Sequence, residues 1–266
     1  MRIAFIGGGV MGEALIKGIL GQGLAKPGDI TASDIDLERL SALSQGYGIK
    51  TSASNRQATE GAEVVVLAIK PQNLKEALEG IRGQTQGQLI LSIVAGASIA
   101  SIARGVGHNL VVRAMPNTPA QIGAGITVWT ASDKVSQRQK EMAQSILGAL
   151  GREIYVSDER YLDIATAVSG SGPAYIFLFI EALVDAAVHI GWPRETAVEL
   201  VVETVLGAAH LARTTGKQPA ELRRMVTSRG GTTEQALLQL EEGGFRALIE
   251  RAVSAAYEKA KSLGAE

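Results

Sequence analysis

The chain has no cysteine, only three histidines and few aromatic residues among its 266 positions. The lack of cysteine excludes disulfides, thiolate nucleophiles and cysteine-ligated zinc or iron–sulfur sites. His108, His189 and His210 lie far apart without ligand spacing, so we expect no metal site. Aromatic residues make up 4% and hydrophobic residues 46%, which predicts a sizeable core of Ala, Val, Ile and Leu.

An excess of charge of either sign is also missing. The formal net charge is −1, which argues against a nucleic-acid or anionic-membrane surface. Residues 1–6 run into glycines rather than into a longer apolar stretch with a cleavage site, so we predict no signal peptide. The most apolar segment, 173–190, contains Glu181 and Asp185 and is interpreted as a buried helix rather than a membrane span. We therefore expect a soluble, cytoplasmic protein without nucleic-acid or membrane partners.

The first part of the chain alternates strand-like and helix-like segments. Residues 63–69 include a Val-Val-Val-Leu run that is apolar on both faces, as a central parallel strand should be. Strands are predicted at 2–6, 30–33, 63–69, 89–94 and 110–114, with edge strands at 126–129 and 153–156. Helices are predicted at 10–20, 37–43 and 137–150, with others starting after Ser54 and at Pro71. This order predicts an α/β, Rossmann-like doubly wound sheet.

Strand patterns stop after about residue 158, and the remainder is predicted to be helical. The helices are expected at 161–168, 174–190, 195–213, 219–227, 233–242 and 245–263. We place a domain boundary near Ser157, which gives an α/β domain at 1–157 and an all-α domain at 158–266. Apolar residues run round much of the long helices, and a domain this small cannot bury them alone. The pattern therefore predicts dimerisation through the C-terminal helices.

A glycine-rich turn follows the first predicted strand. The sequence Gly-Gly-Gly-Val-Met-Gly at 7–12 fits G-x-G-x-x-G between a strand and a helix, the context that a dinucleotide-binding motif requires. The glycines permit the tight turn, the approach of the backbone to a pyrophosphate and close helix packing, and the helix start stabilises the phosphate charge. The alternative is a turn without a ligand. The predicted cofactor contacts here are Gly7, Gly9, Val10, Met11 and Gly12.

The end of the second strand bears on the choice of cofactor. Ser33 and Asp34 lie there, and an acidic side chain at this point binds the adenosine ribose of NADH and repels the 2′-phosphate of NADPH. This favours NADH as the cofactor. NADPH stays an alternative, because Arg56, which lies beside Asn55, could reach the 2′-phosphate. Alternatively, Asp34 only caps the helix that starts at Leu37.

Two more segments follow predicted strands, at the edge where doubly wound sheets bind ligands. In the first, Ala68-Ile69-Lys70-Pro71, the lysine either faces the cofactor's phosphates or ribose or is simply solvated. In the second, 115–119, two prolines stiffen a loop in which Asn117 is predicted to orient the nicotinamide half. A rigid turn with no ligand role is the alternative.

Near the C-terminus, residues 228–233 place bare backbone amides beside hydroxyl groups. The sequence Ser-Arg-Gly-Gly-Thr-Thr suits a small anionic substrate better than a helix interior, although it could be only a tight turn.

Taken in order, segments 7–12, 68–71, 113–119, 169–175 and 228–233 resemble the pyrroline-5-carboxylate reductase family, the last two most specifically. The resemblance implies a Rossmann domain and a helical domain that interlocks with a partner as a dimer, with decamers in many members. It implies hydride transfer from NADPH or NADH to the C=N carbon of Δ1-pyrroline-5-carboxylate, giving L-proline.

The resemblance also implies roles for the residues of the last segment. Thr233 would be the catalytic residue, whose hydroxyl hydrogen-bonds the imine nitrogen. The substrate carboxylate would be held by Ser228 and by the amides of Gly231 and Thr232. The full set of implied substrate-binding residues is Ser228, Gly230, Gly231, Thr232 and Thr233.

One position departs from the family pattern. Arg229 stands where the family usually has proline, so the loop is less rigid but carries a cation. We expect Arg229 either to face solvent or to attract the substrate carboxylate. Residues 169–175 are interpreted both as a tightly packed helix start, with Pro173 in its first turn, and as a wall of the substrate pocket.

Two other functions fit part of this sequence pattern. A β-hydroxyacid dehydrogenase shares the two-domain plan but relies on a lysine early in its second domain, and residues 161–190 contain no lysine. A non-catalytic dinucleotide-binding protein would have no need of the 228–233 segment.

Overall fold

The computed structural model describes residues Met1–Ala265, and its centre is one eight-stranded sheet in the order β3-β2-β1-β4-β5-β6-β7-β8. The strands are β1 (Ile3–Ile6), β2 (Ile30–Ser33), β3 (Lys50–Ser52), β4 (Val64–Leu67), β5 (Leu89–Ser92), β6 (Val111–Met115), β7 (Gly125–Ala131) and β8 (Gly151–Tyr155). The helices of this part are α1 (Val10–Gly21), α2 (Leu37–Tyr47), α3 (Asn55–Thr59), α4 (Leu74–Ile81), α5 (Ile99–Val106), α6 (Gln137–Gly148) and α7 (Arg160–Ala165).

Neighbouring strands run parallel except at one place, where β7 is antiparallel to β6. The strand order reverses between β1 and β4, which is the switch point of a doubly wound sheet. The predicted Rossmann-like architecture is confirmed.

The core has two layers because successive side chains of each central strand enter opposite faces. Phe5 packs with α1, α2 and α6 on one face, whereas its neighbours Ala4 and Ile6 pack with α4 and α5 on the other. All four residues of β4 are fully buried, as its unbroken apolar run indicates.

Several local predictions need correction. Strand β3 and helix α5 were missed, and β3 is a three-residue, polar edge strand with little apolar signal. β7 was predicted to be an edge strand, but it lies inside the sheet between β6 and β8. The helix predicted to start at Pro71 begins as a 3-10 turn, Pro71–Asn73, before α4.

The chain divides into two compact units, and the division falls later than the boundary predicted near Ser157. Unit 1 comprises Met1–Ser171 with Ala256–Glu266, and unit 2 comprises Gly172–Ala255. The segment after β8 joins unit 1 through ion pairs: Arg113 on β6, its side chain 7% exposed, contacts Glu159 and Asp163 at 2.9 Å each. These pairs tie α7 to the sheet.

Unit 2 is built from helices. They are α8 (Gly172–His189), α9 (Arg194–Thr215), α10 (Pro219–Met225), α11 (Thr232–Glu242) and the first part of α12 (Phe245–Ala265). Its buried cluster has only three members, Val184, Ala197 and Val201. The predicted all-α C-terminal part is therefore present, but its own core is very small.

Helix α8 is apolar and exposed, so the prediction that segment 173–190 is buried does not hold within a single chain. Phe177 and Leu178 are 63% and 67% exposed. The helical stretch Arg160–His189 is long and apolar enough to cross a membrane by length and composition, and 11% of that apolar window is buried. Helix α9 also carries apolar side chains that are more than one-third exposed, among them Leu200, Leu206 and Leu211.

Candidate functional site

The carboxyl ends of the central strands bring three sequence-distant segments together. The register pairs Ile6 with Ser33 on one side and with Leu67 on the other. Gly7, Asp34 and Ala68, which follow these residues, therefore meet at one edge, beside the switch point where doubly wound sheets bind ligands.

The fingerprint turn depends on two close approaches of backbone to backbone. Gly7 has a φ of +99°, and its N–H donates to the Ser33 carbonyl at 2.8 Å. A Cβ on Gly7 would lie 2.4 Å from the Ala68 oxygen, and a Cβ on Gly12 would lie 2.5 Å from the Gly7 oxygen. Neither distance is possible for a larger residue, so both glycines are required by the fold of the turn itself.

Gly9 is different, because its surroundings are open. It is the exposed N-cap of α1, with a φ of −63° that any residue adopts, and no atom lies within 4 Å of an added Cβ. The cap has no side-chain hydrogen bond, and the amides of Val10, Met11 and Gly12 have no acceptor within residues 1–265. Uncapped amides at the start of a twelve-residue helix fit the pyrophosphate of a dinucleotide.

Asp34 is held against this turn. Its carboxylate accepts the Gly8 N–H at 2.7 Å and the Asp36 N–H at 3.1 Å. Asp36, not Asp34, caps α2 by accepting from two amides in its first turn. The interpretation of Asp34 as the cap of the helix starting at Leu37 is therefore wrong, and its carboxylate remains at the end of β2 beside the fingerprint.

A cation that sequence analysis missed also contacts the turn. The Arg39 side chain donates to the Gly8 carbonyl at 2.5 Å and forms an ion pair with Glu13, which also accepts from the Tyr47 hydroxyl at 2.8 Å. The hydrogen bond from Arg39 lowers the pKa of the Glu13 carboxyl, whereas burial and then Glu13 raise the pKa of Tyr47. The charge of Arg39 is thus matched by Glu13. The sequence feature that could have indicated this cation is Glu13, an acidic residue in the first turn of α1.

The other residues predicted near the cofactor lie at the same edge of the sheet, and they differ in whether they are buried or exposed. Ser33 is fully buried, and its hydroxyl donates to the Asn55 side chain at 2.7 Å, so it positions Asn55 rather than facing solvent. Arg56 and Lys70 are exposed and have no ion-pair partner within the described chain. The segment containing Lys70 leaves β4 with Ala68 and Ile69 half-buried and turns at Pro71.

Asn117 joins the loop after β6 to two other segments. Its side-chain oxygen accepts the Ile126 N–H at 2.9 Å, and its amide nitrogen donates to the Ser169 carbonyl at 3.1 Å. Ser169 lies in a π-helical turn, Thr166–Gly170, where an added Cβ on Gly170 would meet the Met115 side chain at 2.7 Å. Asn117 therefore holds the 115–119 loop and this turn in fixed relation, which agrees with tight packing at the start of the 169–175 segment. That this segment forms a wall of the substrate pocket stays a prediction.

In unit 2 the 228–233 segment forms a tight turn followed by α11. The Gly231 N–H donates to the Ser228 carbonyl at 3.0 Å, and the Gly230 N–H donates to the Glu234 carboxylate at 2.6 Å. Both amides are therefore used within the loop. The expectation that the Gly231 amide binds the substrate carboxylate needs correction, since its hydrogen already has an acceptor.

The free donors begin one residue later. Gly231 caps α11 without a side-chain hydrogen bond, and the amides of Thr232, Thr233 and Glu234 have no acceptor in the described part of the chain. The hydroxyls of Thr232 and Thr233 likewise have no partner there. Three uncapped amides and two hydroxyls at one helix start fit a small carboxylate with an adjoining polar atom.

Within residues 1–265, no group of three or more His, Asp or Glu side chains is arranged to hold a metal ion. The two sites offer backbone amides and hydroxyls as hydrogen-bond donors, and the Asp34 carboxylate as an acceptor.

Comparison with known proteins identifies the family of the chain. Residues 159–263 match the family described as pyrroline-5-carboxylate reductase dimerisation, and residues 2–96 match the family described as NADP oxidoreductase coenzyme F420-dependent. The chain is 40% identical to a pyrroline-5-carboxylate reductase of Synechocystis over 99% of its length and 98% of that protein.

Solved structures of the same kind superpose closely. A pyrroline-5-carboxylate reductase from Coxiella burnetii is 42% identical, with a TM-score of 0.89 and 98% of each chain covered. The Plasmodium falciparum pyrroline carboxylate reductase with NADP bound is 30% identical, with a TM-score of 0.90 and coverage of 99% of this chain and 98% of that one.

The open surroundings of Gly9 give a test of dinucleotide binding that is separate from folding. We expect Gly9→Ala to raise the Kd for NADH or NADPH about tenfold or more, because a Cβ would hold the pyrophosphate away from the backbone. Its melting temperature should stay within about 2 °C of the parent, since nothing lies within 4 Å of the new atom. Fluorescence titration of the reduced cofactor measures the first quantity and calorimetry the second.

Gly21→Ala is the matched control, because Gly21 also lies in α1 with nothing within 4 Å. It should leave the Kd unchanged, and its melting temperature should stay the same or rise slightly because alanine is the better helix former. Equal Kd values for Gly9→Ala and the parent would show that the pyrophosphate binds elsewhere.

Proposed function

This chain belongs to the pyrroline-5-carboxylate reductase family, and on that premise we propose that it reduces the C=N bond of Δ1-pyrroline-5-carboxylate with NADPH or NADH, giving L-proline as the last step of proline biosynthesis. The family relationship extends over 98% or more of the chain in each of these full-length comparisons. It therefore covers both the dinucleotide turn and the α11 loop.

The observation that carries the proposal is the uncapped start of α11. Its free amides at Thr232 and Thr233 are suited to a carboxylate, and the Ser228 hydroxyl lies at the other end of the same turn. A non-catalytic dinucleotide-binding protein would need the fingerprint but not this arrangement.

The residues then have distinct roles. When bound, the cofactor supplies the hydride that reduces the imine carbon. The amides at the start of α11 bind the substrate carboxylate and set the orientation of the ring. The Thr233 hydroxyl donates a hydrogen bond to the imine nitrogen, which makes the carbon a better hydride acceptor. Asn117 holds the loop after β6 in place.

We propose that NADH is the preferred cofactor. Asp34 is anchored by the Gly8 amide at the end of β2, where a carboxylate suits a ribose diol and opposes a 2′-phosphate. Arg39 is already paired with Glu13, so it offers little charge to a phosphate. Arg56, exposed and without an ion-pair partner among the described residues, is the residue that keeps NADPH usable.

We propose that the chain acts in the cytoplasm as a homodimer, with decamers as its larger assembly. The dimerisation match over 159–263 supports self-association. The exposed apolar side chains of α8 and α9 support these helices as the contact surface, since monomeric soluble proteins rarely expose so much apolar area.

Thr233 is tested by two substitutions. We expect Thr233→Ala to lower kcat/KM for pyrroline-5-carboxylate about tenfold to a hundredfold, the loss of ~1.4–2.8 kcal/mol of transition-state stabilisation. Thr233→Ser keeps the hydroxyl and should retain activity within about threefold of the parent. Nicotinamide absorbance at saturating cofactor gives both values.

The same assay separates the candidate functions. A parent enzyme that oxidises neither NADH nor NADPH in the presence of the imine would overturn the proposed reaction. An active parent whose Thr233→Ala variant is equally active would overturn only the role of Thr233.

Cofactor preference is tested at Asp34. We expect the parent to show a higher kcat/KM for NADH than for NADPH, and Asp34→Ser to shift that ratio about tenfold toward NADPH by removing the repelling charge. Arg56→Ala should shift the ratio the other way. A parent that prefers NADPH would show that the Asp34 carboxylate does not contact the 2′ position of the cofactor's adenosine ribose.

Association is tested on α8. Leu178→Glu should weaken the dimer at least about tenfold, because a charge would be buried in an apolar contact. Ile35→Glu is the control, since Ile35 is an apolar residue that is 90% exposed in unit 1. Sedimentation velocity measures both, and a Leu178→Glu variant that associates as the parent does would place the contact elsewhere.

A further inference from the structure

The substrate loop contains a turn whose geometry explains why proline is usual at position 229. The Gly231 N–H bonds the Ser228 carbonyl, which closes a four-residue turn with Arg229 and Gly230 at its centre. Gly230 has a φ of +71° at the third position, as a type II turn requires. Proline is favoured at the second position of such a turn because its ring fixes φ near the value required there.

Arg229 lacks that constraint, and its side chain does not compensate for it. The Arg229 side chain is exposed and has no hydrogen-bond or ion-pair partner within residues 1–265. Its own N–H donates no backbone hydrogen bond there either. The turn therefore has to be held by another group.

Glu234 is that group. It is half-buried in the first turn of α11, and its carboxylate accepts the Gly230 N–H at 2.6 Å. Hydrogen bonds to an ionised carboxylate are about twice as strong as those between neutral groups. The bond fastens the left-handed residue of the turn to the first turn of the helix that follows it.

We propose that Glu234 is a positioning residue of the substrate site, and that its bond to the Gly230 amide supplies the rigidity that proline would give at position 229. The inference rests on the proposed function for its kinetic consequence. By fixing the turn, Glu234 sets the direction in which the amides of Thr232 and Thr233 and the Thr233 hydroxyl point. The amides of Thr232 and Thr233 stay free, because the Glu234 carboxylate accepts from the Gly230 N–H and not from the amides at the start of α11.

The kinetic test compares three variants. Glu234→Ala should raise the KM for pyrroline-5-carboxylate about tenfold, because the loosened turn binds the carboxylate poorly. The KM for the cofactor should not change. Glu234→Gln keeps an oxygen acceptor and should stay within about threefold of the parent. Glu242→Ala is the control and should match the parent, since Glu242 lies at the far end of α11 and, among residues 1–265, bonds only to Gln239.

Rescue distinguishes positioning from a general loss of structure. Adding Arg229→Pro to Glu234→Ala should return the KM to within about threefold of the parent, because proline fixes the turn by itself. Arg229→Pro alone should leave the KM unchanged or lower it. Amide hydrogen exchange over 228–233 should speed up in Glu234→Ala and slow again in the double variant.

Two outcomes would overturn the inference. A KM for Glu234→Ala that is unchanged or lower would mean that the carboxylate is not needed or repels the substrate. A failure of Arg229→Pro to restore either KM or exchange protection would mean that the two residues do not share one task. If the parent itself does not reduce the imine, the proposed reaction fails, and the exchange measurement still decides whether Glu234 holds the turn.

Discussion

The close approach of the Gly7 turn to the strands beside it is the constraint on which the cofactor site depends. Gly7 sits between the Ser33 carbonyl, which its N–H contacts, and the Ala68 carbonyl, 2.4 Å from where a Cβ would be. The chain passes from β1 to α1 through the tight turn Gly7-Gly8-Gly9. The start of α1 is therefore left uncapped at the switch point, and Asp34 is brought within reach of the Gly8 amide. One steric requirement thus sets the donors for a pyrophosphate and the acceptor for a ribose.

The architecture could be predicted where local sequence carries the cause. The apolar run of β4 predicts a central strand well because burial on both faces restricts its composition. The glycines after β1 predict a tight turn for the same kind of reason, since few residues other than glycine adopt its backbone conformation. β3 could not be found, since a short polar edge strand depends on its neighbour for pairing. The place of residues 158–171 in unit 1 was equally hidden, because it rests on ion pairs from Arg113 to carboxylates about fifty positions away.

The sequence predicts which segments form the candidate site, but it does not predict which atoms within them are free to bind a ligand. Residues 228–233 were identified as a group, yet the sequence does not show which amides are consumed inside the turn. That depends on the i to i+3 bond to Ser228 and on the reach of Glu234, both of which are properties of a particular backbone. Asn117 was predicted to orient the nicotinamide half, but the sequence does not show that its side chain also joins two backbone segments. Polar side chains near a ligand site often act by fixing the groups that bind.

The three-residue core of unit 2 has a consequence for how the protein matures. If the exposed apolar faces of α8 and α9 form the proposed contact with a second copy, the folding of unit 2 and its assembly are coupled by mass action. At low concentration, early in synthesis, unit 2 would then be the part of the chain most exposed to aggregation. Substitutions on the faces of α8 and α9 would then act as folding mutations whose severity depends on expression level, although they touch neither ligand site.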